Sequence, residues 1–256
     1  FDMRCTGLTN IGALLAGSAA MLSGLSSVAP NSPLSLPIPL LTATVLDMGG
    51  TMSQLSVPQD SPQFIRSYVD DMYRTYIAPS GLCSGGDPGC TQVGVYTPEQ
   101  FGLVTGWRDM TFDASVKVGL ANLDKCLRGM ACAVTDAPYT ATQAHPLPDT
   151  SFTVVGYSQS ATIASREKAF LLDRPPDAAV NFVLVANPNR PNGGILSRFT
   201  GLHIPGVTFD AATPTGSSAS APLTTVDVAR QYDLISYFPT ICGCGFWSAS
   251  LPNSVS

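Results

Sequence analysis

The residues best suited to chemistry lie in the pentapeptide Gly156-Tyr157-Ser158-Gln159-Ser160. An apolar run at residues 151–155 predicts a buried strand before it, and residues 160–172 predict a helix after it. A serine in the sharp turn between a strand and a helix is typical of a nucleophile elbow, which lifts the hydroxyl clear of the sheet edge. We therefore predict that Ser158 is the nucleophile of a serine hydrolase. The alternative is a structural turn, because Gly-x-Ser-x-small matches also arise by chance.

A nucleophilic serine needs hydrogen-bond donors for the negative charge that develops on the substrate carbonyl oxygen. The backbone N–H of Gln159, at the start of the predicted helix, faces that position. A second donor should come from the loop after the first predicted strand, where Gly50 and Thr51 stand. Glycine lets the backbone approach a substrate closely. The alternative for this loop is a plain glycine turn that ends a strand.

The acid of a catalytic triad follows the nucleophile along the chain in this kind of fold. Asp233 closes a predicted strand at residues 224–232, downstream of Ser158. We predict Asp233 as the carboxylate that orients the base, and a surface aspartate or turn cap is the alternative. Asp210 and Asp227 are weaker candidates for the same role.

The base is the difficulty, because the chain has only two histidines, His145 and His203. His145 precedes the nucleophile strand, in a proline-rich stretch, and His203 lies in a loop before Asp233. Neither follows Asp233, where a triad histidine belongs in chain order. Without an imidazole base, a serine hydroxyl is a poor nucleophile at neutral pH.

The elements that must position these residues alternate along the chain. Strands are predicted at residues 42–48, 92–96, 151–155, 181–185 and 224–232, and helices at 61–77, 111–127 and 160–172. Alternating strands and helices predict a mostly parallel central sheet with helices on both faces. The fold class is therefore α/β, of the α/β-hydrolase type.

The segment 187–215 is rich in proline and glycine and lies between the fourth predicted strand and Asp233. Loops at the carboxyl ends of parallel strands build the pocket in such sheets. We predict a lid-like insertion here. The residues expected to contact substrate are Phe199, Leu202, His203 and Ile204. The alternative is that these side chains complete the core, since periodicity cannot separate a lid from a core edge.

Composition restricts the function classes. Charged residues make up 12% of the chain, about half of the share of roughly 25% in ordinary soluble proteins. The net charge is −5 and no run of Lys or Arg occurs, so no nucleic-acid partner is expected. The apolar balance, with a mean hydropathy of +0.19, fits a protein that meets lipid or an apolar partner.

Two pairs of cysteines each bracket a short loop that can bring their sulfur atoms together. Cys83 and Cys90 enclose a Gly/Pro/Asp loop, and Cys126 and Cys132 enclose a loop around Gly129. We predict two disulfides, and hence an oxidising compartment. With two histidines and no Cys-x-x-Cys, a zinc site is the weaker alternative, so no metal is expected. Cys5, Cys242 and Cys244 have no assigned partners.

The N-terminal residues 7–29 carry no charge and are rich in Ala, Leu and Gly. They resemble a signal-peptide core, and their length also allows a mildly apolar membrane span. We favour a packed helix or a shallow amphipathic segment, followed by a proline-rich connector. The expected domains are therefore residues 1–41, an apolar helical segment, and residues 42–256, the catalytic domain. A secreted or envelope-associated protein is expected, and the N-terminal segment offers an anchor.

Several short motifs together carry a resemblance to a known family. The motifs are Asp47-Met48-Gly49-Gly50-Thr51, Tyr96-Thr97-Pro98-Glu99-Gln100-Phe101, Thr111-Phe112-Asp113-Ala114-Ser115-Val116, Gly156-Tyr157-Ser158-Gln159-Ser160, Asn187-Pro188-Asn189-Arg190-Pro191-Asn192-Gly193-Gly194, Ala212-Thr213-Pro214-Thr215 and Tyr232-Asp233. With them the chain resembles the PE-PPE-domain serine hydrolases of mycobacteria, relatives of the cutinases, over roughly residues 42–240. The most similar members are the acyltransferases that build polyacyltrehalose and sulfolipid-type glycolipids.

The resemblance implies an α/β-hydrolase fold, a Ser-Asp-His triad without cofactor, and acyl transfer or hydrolysis of fatty esters in the cell envelope. Ser158 and Asp233 match the family's nucleophile and acid. The family's histidine lies downstream of the Tyr-Asp pair, and this sequence has none there, so we expect the C-terminal part of the domain to be incomplete. The expected partner is an acylated glycolipid or another long-chain ester, met at a membrane surface. The alternative function is a module that binds acyl lipids without turnover.

Overall fold

The computed structural model describes residues 44–83, 90–217, 223–231 and 233–238, all within the predicted catalytic domain. The strands are β1 Thr44–Asp47, β2 Thr91–Val95, β3 Cys132–Asp136, β4 Gln143–His145, β5 Ser151–Tyr157, β6 Ala179–Val185, β7 His203–Ile204, β8 Val207–Thr208 and β9 Thr225–Val228. The helices are α1 Pro62–Met72, α2 Ala78–Ser80, α3 Gly102–Thr105, α4 Phe112–Leu127, α5 Gln159–Asp173 and α6 Ile195–Arg198, with a π-helical segment Tyr73–Ile77 between α1 and α2.

A seven-stranded sheet in the order β4-β3-β2-β1-β5-β6-β9 forms the centre of the fold. The five strands from β2 to β9 in this order run parallel, whereas at one edge β3 pairs antiparallel with β2 and β4 pairs antiparallel with β3. The predicted α/β architecture with a mostly parallel sheet is confirmed. Because parallel strands end at the same edge, the loops after β1, β5, β6 and β9 meet there.

Both faces of the sheet are covered, because successive side chains of a strand point to opposite sides. On one face, Leu46, Val154 and Leu184 pack against α4 and α5 in the larger core cluster. On the other face, Val45 and Val155, with their strand neighbours, pack against α1 and the π-helical segment. Because both faces are covered, the parallel strands have continuous apolar sequences rather than alternating apolar and polar residues.

The helix starts follow capping rules. Ser61 precedes α1 and its Oγ accepts a hydrogen bond from the Phe64 N–H, with Pro62 in the first turn. Thr111 precedes α4, and its Oγ1 accepts from the Ala114 N–H. The predicted helix over 61–77 continues from α1 into a π-helical segment that ends at Ile77.

Two differences from the sequence predictions concern the sheet edges. The short strands β3 and β4 were not predicted. β4 is an edge strand with largely exposed residues and no buried face to give it a pattern. The last parallel strand ends at Val228, earlier than predicted. Asp233 therefore lies in a following turn, where its N–H donates to the Arg230 carbonyl.

Both predicted disulfides are present. Cys83 bonds to Cys90 and Cys126 bonds to Cys132, with Cα separations of 6.0 and 5.2 Å. Disulfides point to an oxidising or extracellular environment. Within the described ranges, no helix is both long and apolar enough to span a membrane. The predictions for residues 1–41 fall outside the described residues, and so do Cys5, Cys242 and Cys244, to which the sequence analysis assigned no partners.

Glu167 is a fully buried carboxyl in α5, close to Asp124 of α4 and to Arg128, the residue that caps the end of that helix. Burial raises the pKa of Glu167 to about 8; Asp124 adds to the rise and Arg128 opposes it. Above the ordinary pKa of a glutamate, the unfolded chain therefore releases the Glu167 proton, whereas the folded chain keeps it until the pH nears about 8. The stability that this carboxyl contributes is fully present below that ordinary pKa and is lost as the pH rises through about 8.

We predict that Glu167→Gln removes the loss of stability that ionisation of Glu167 causes as the pH rises. The free energy of unfolding of the variant, relative to the native chain, should rise by up to about 1.4 kcal/mol per pH unit between roughly pH 5 and pH 8. Urea unfolding at several pH values measures it. Asp177→Asn, at an exposed carboxyl, is the control and should track the native chain. Parallel curves for Glu167→Gln and the native chain would contradict the prediction.

Candidate active site

The predicted turn between strand and helix is present at Ser158. This residue follows β5, directly precedes α5, and has φ 55° and ψ −111°. A positive φ is strained for serine and is kept where the surrounding structure enforces it. The Ser158 N–H donates to the Val185 carbonyl of β6 at 3.0 Å, and its own carbonyl accepts from the Ala161 N–H at 3.0 Å.

The residues on either side of Ser158 explain the composition of the pentapeptide. A Cβ on Gly156 would lie 2.7 Å from the Ser160 carbonyl oxygen and 2.8 Å from the Ala161 Cα, so only glycine fits. Ser160 is fully buried. Its Oγ accepts from the Tyr157 N–H at 2.8 Å and donates to the carbonyl of Tyr157 or of Met48, at 3.1 and 3.3 Å. The last serine therefore ties the turn together, which glycine could not do.

The loop after β1 lies directly against this turn. Met48 donates its N–H to the Val155 carbonyl, and its carbonyl also accepts from the Tyr68 hydroxyl at 3.0 Å. A Cβ on Gly50 would lie 2.8 Å from the Tyr157 ring, so the glycine permits this close approach. The structure thus brings Gly50 and the adjacent Thr51 to the elbow, and their role as oxyanion donors stays a prediction.

Gln159 is held by a network that the sequence did not reveal. Its buried side chain accepts from the Ser115 hydroxyl at 2.9 Å and donates to the Gln100 carbonyl at 3.0 Å. The Gln100 N–H in turn donates to the Ser115 Oγ at 3.0 Å. These three residues are far apart in the chain, so no local pattern could have linked them. The network fixes the first residue of α5, whose N–H is the predicted oxyanion donor.

Two buried acids lie behind the loop after β1, and sequence reasoning missed both. Asp47 ends β1, and Glu99 follows β2, the strand beside it. Both are fully buried, and burial raises the pKa of each carboxyl well above its ordinary range. The Thr97 hydroxyl donates to Glu99 Oε1 at 2.5 Å, and the Glu99 carbonyl accepts from the Met52 N–H at 2.9 Å. Glu99 therefore anchors the loop that carries Gly50.

A cavity of about 440 Å³ opens beside the elbow and brings Ser158 and Asp233 together. Its described lining comprises Thr75, Tyr76, Tyr157, Ser158, Val185, Ala186, Val228, Arg230, Asp233 and Ile235. Asp233 is bonded within its own turn. Its Oδ1 accepts from the Ile235 N–H at 2.9 Å and its Oδ2 accepts from the Ser236 hydroxyl at 2.7 Å.

Neither histidine lines this cavity. His145 is on the edge strand β4, separated from β5 by three strands, and its Nε2 lies 2.6 Å from Asp136 Oδ2. That hydrogen bond raises the pKa of His145. His203 is exposed on β7. Within the described chain, the Ser158 cavity therefore holds a hydroxyl and a carboxylate without an imidazole between them.

The predicted lid residues are elsewhere. The described lining of the Ser158 cavity includes none of Phe199, Leu202, His203 and Ile204. Phe199 packs against Phe209 and Phe238 at ring distances of 6.4 and 5.1 Å. Their contact with a substrate, and hence the lid, stays a prediction.

The two rival acids are engaged in other contacts. Asp210 accepts from Arg166 at 2.7 Å and from Asn189 at 2.6 Å, which ties the segment around β7 and β8 to α5. Asp227 accepts from the Asn187 side chain at 2.8 Å, and burial raises its pKa. Neither lines the Ser158 cavity. In the part of the chain that is described, no cluster of three or more His, Cys, Asp or Glu side chains could hold a metal.

Comparison with known proteins identifies the family. The model of the PE-PPE domain matches residues 88–243, which include Ser158 and Asp233. The chain belongs to the PE-PPE family. The resemblance seen in the sequence motifs is thereby confirmed for the PE-PPE family, whereas the closer likeness to the glycolipid acyltransferases stays a prediction. The mostly parallel sheet is the α/β-hydrolase architecture expected of PE-PPE domains.

The relatives include two proteins of Mycobacterium tuberculosis. This PE-PPE chain is 34% identical over 204 residues to "Esterase PE16" (strain ATCC 25618 / H37Rv), covering 77% of this chain and 34% of that protein. It is 35% identical over 204 residues to "Uncharacterized PPE family protein PPE42" (strain CDC 1551 / Oshkosh), covering 77% and 29%. The chain spans about a third of the length of these curated relatives.

The geometry of this PE-PPE domain predicts that a fluorophosphonate probe labels Ser158. Ser158→Ala should remove the label and leave the fold intact, because only one hydroxyl is lost from a turn held by its neighbours. Peptide mass spectrometry after labelling measures the site. Ser67→Ala, at an exposed serine of α1, is the control and should label as the native chain does. A label that survives Ser158→Ala, or a native chain that takes none, would contradict the assignment.

Proposed function

We propose that this PE-PPE chain is a serine esterase that takes an acyl group onto Ser158 and passes it to water or a sugar hydroxyl. Its proposed substrates are long-chain fatty acyl esters of trehalose-type glycolipids in the cell envelope. The observation that carries the proposal is the strained Ser158 elbow, which opens into the cavity that also holds Asp233. A relative that is named an esterase supports the same reaction class.

The proposed reaction has two steps. The Ser158 Oγ bonds to the ester carbonyl carbon while its proton passes to a base, and the oxyanion accepts a hydrogen bond from the Gln159 N–H. The alkoxide then leaves and takes that proton, which gives an acyl-serine. Water or a sugar hydroxyl attacks the acyl carbon, gives its proton to the base, and the Ser158 oxygen leaves and is reprotonated.

The lining of the cavity supports a fatty acyl substrate. The apolar part of the cavity wall beside Ser158 is formed by Val185, Ala186, Val228 and Ile235. Large apolar side chains next to these elements are exposed, with 66% of Met52, 59% of Leu234 and 49% of Tyr237 accessible. Where such side chains form a contiguous apolar patch, they mark a membrane, protein or ligand interaction site. We accordingly propose association with a membrane surface in a secreted or envelope-bound protein.

One observation favours a second function, an acyl-lipid-binding module without turnover. No imidazole lines the Ser158 cavity in the described chain, and Asp233 is bonded to Ile235 and Ser236. A general base contributes roughly 10²–10⁴-fold to such a reaction. A chain without one would bind an acyl ester and cleave it slowly. The two functions differ in whether an added base restores turnover.

We predict that free imidazole rescues ester cleavage. Imidazole is small enough to enter the cavity of about 440 Å³ and lie between Ser158 and Asp233. It should raise turnover of p-nitrophenyl butyrate by about tenfold over the native chain alone, a part of the full general-base effect. Spectrophotometric release of p-nitrophenol measures it, with the Ser158→Ala variant giving the background of imidazole acting in solution.

Asp233→Asn should abolish most of that rescue, because the neutral amide lacks the negative charge that orients the imidazole and stabilises the imidazolium formed during the reaction. Asp177→Asn, at an exposed site, is the matched control and should keep the rescue. Equal rates with Ser158→Ala and the native chain at every imidazole concentration would favour the binding module instead.

We also predict that kcat/KM rises from acetyl to longer acyl esters. Each methylene buried against the apolar wall adds up to about 0.8 kcal/mol of transition-state binding. Ile235→Ser should flatten the rise, because Ile235 lines the cavity and is 39% exposed. Val118→Ser, equally exposed on α4 at 39%, is the control and should leave the profile unchanged. A flat or falling profile for the native chain would contradict the long-chain substrate.

A further inference from the structure

A second cavity, of about 390 Å³, lies beside α5 and is bounded by the chain around residues 213–217 and 223–227. It shares no described lining residue with the Ser158 cavity. Its volume falls within the range of about 300–1,000 Å³ that is typical of small-molecule sites. The chemistry already proposed for Ser158 does not use it.

Lys168 of α5 lines this cavity and is unusual for a lysine. Its side chain is buried, with the residue only 2% exposed. Among the residues that the structure describes, none forms a hydrogen bond or ion pair with the Lys168 amine. Lysine is almost never fully buried unless it is paired, because its charge loses hydration. Burial accordingly lowers the pKa of Lys168.

Asp227 is the carboxylate in the described lining, and its contacts are with residues other than Lys168. Its Oδ2 accepts from the Asn187 Nδ2 at 2.8 Å, and its Oδ1 lies 3.5 Å from the Arg190 Nε. No contact between Asp227 and Lys168 falls within the 4.0 Å of an ion pair among the described residues. Lys168 therefore lines a cavity in which no described side chain supplies an anion to pair with its amine.

The remaining lining indicates what kind of anion fits. Pro191, Pro214 and Leu223 give apolar walls, while the hydroxyls of Thr215 and Thr224 are available as donors. One ammonium with hydroxyl donors matches a singly charged carboxylate. Phosphate groups are more often held by the planar fork of arginine or by several backbone N–H groups, and no arginine is in the described lining.

We propose that the Lys168 cavity binds an alkyl carboxylate, with the carboxylate on the Lys168 ammonium and the chain against Pro191, Pro214 and Leu223. The proposal does not depend on ester cleavage at Ser158, since the two cavities have separate linings. Where both hold, the ligand has the chemistry of the fatty acid that ester hydrolysis releases.

Calorimetric titration with octanoate tests the proposal. The Ser158→Ala chain serves as the background, so that catalysis cannot interfere. We expect binding that Lys168→Met weakens by about tenfold or more, as the loss of a charge-assisted hydrogen bond implies. Lys125→Met, at an exposed lysine of α4, is the control and should bind octanoate normally. Octanol, which keeps the tail and lacks the charge, and inorganic phosphate should both bind more weakly than octanoate.

A second measurement uses the unmutated lysine and so does not rely on the folding of Lys168→Met. Octanoate should slow acetylation of Lys168 by acetic anhydride about tenfold at saturation, without slowing that of Lys125, as measured by peptide mass spectrometry. Octanoate affinity unchanged by Lys168→Met, no protection of Lys168, or phosphate binding tighter than octanoate would each overturn the proposal.

Discussion

The sheet edge that carries the candidate site depends on one backbone constraint, the left-handed conformation of Ser158 with φ 55°. Such a conformation costs on the order of 1–3 kcal/mol in a residue other than glycine. Neighbouring contacts offset it: Gly156 leaves room for the turn of α5, the Ser160 hydroxyl binds the Tyr157 N–H, and Val185 accepts from the Ser158 N–H. The turn is therefore held from β6 and α5 together, and the serine hydroxyl can be presented at the cavity.

The same edge is stabilised by polar groups buried behind it. The Met48 carbonyl accepts from Tyr68, and the Glu99 carbonyl holds the Met52 N–H. Buried carboxyls at Asp47 and Glu99 are tolerable because burial raises their pKa and so favours the neutral form. A charged pair there would carry a large desolvation penalty. The loop after β1 is consequently fixed by neutral hydrogen bonds rather than by ion pairs.

What the sequence could predict was local. The apolar runs of β1, β5 and β6, the elbow at Ser158 and the two short disulfide loops depend on neighbours within a few residues, and all are present. The Ser115–Gln159 contact joins residues 44 apart and follows only from the packing of α4 on α5. For the same reason periodicity could not place Phe199, which packs on Phe209 and Phe238. In the sequence, Lys168 looks like any other lysine of a helix. Only its burial, which results from the packing of α5, distinguishes it.

The two cavities are separate for ligands, yet they share structural supports. Ser158 and Lys168 are ten residues apart, which is roughly 15 Å along a helix axis, so one small ligand does not reach both. Ala186 lines the first cavity, and the next residue, Asn187, donates to Asp227 and Thr213 of the second at 2.8 and 2.9 Å. Ser165 of α5 bonds to the same Thr213 at 2.7 Å. The chain after β6 therefore forms a common wall, and the packing that positions Ala186 beside Ser158 is the packing that closes the Lys168 cavity.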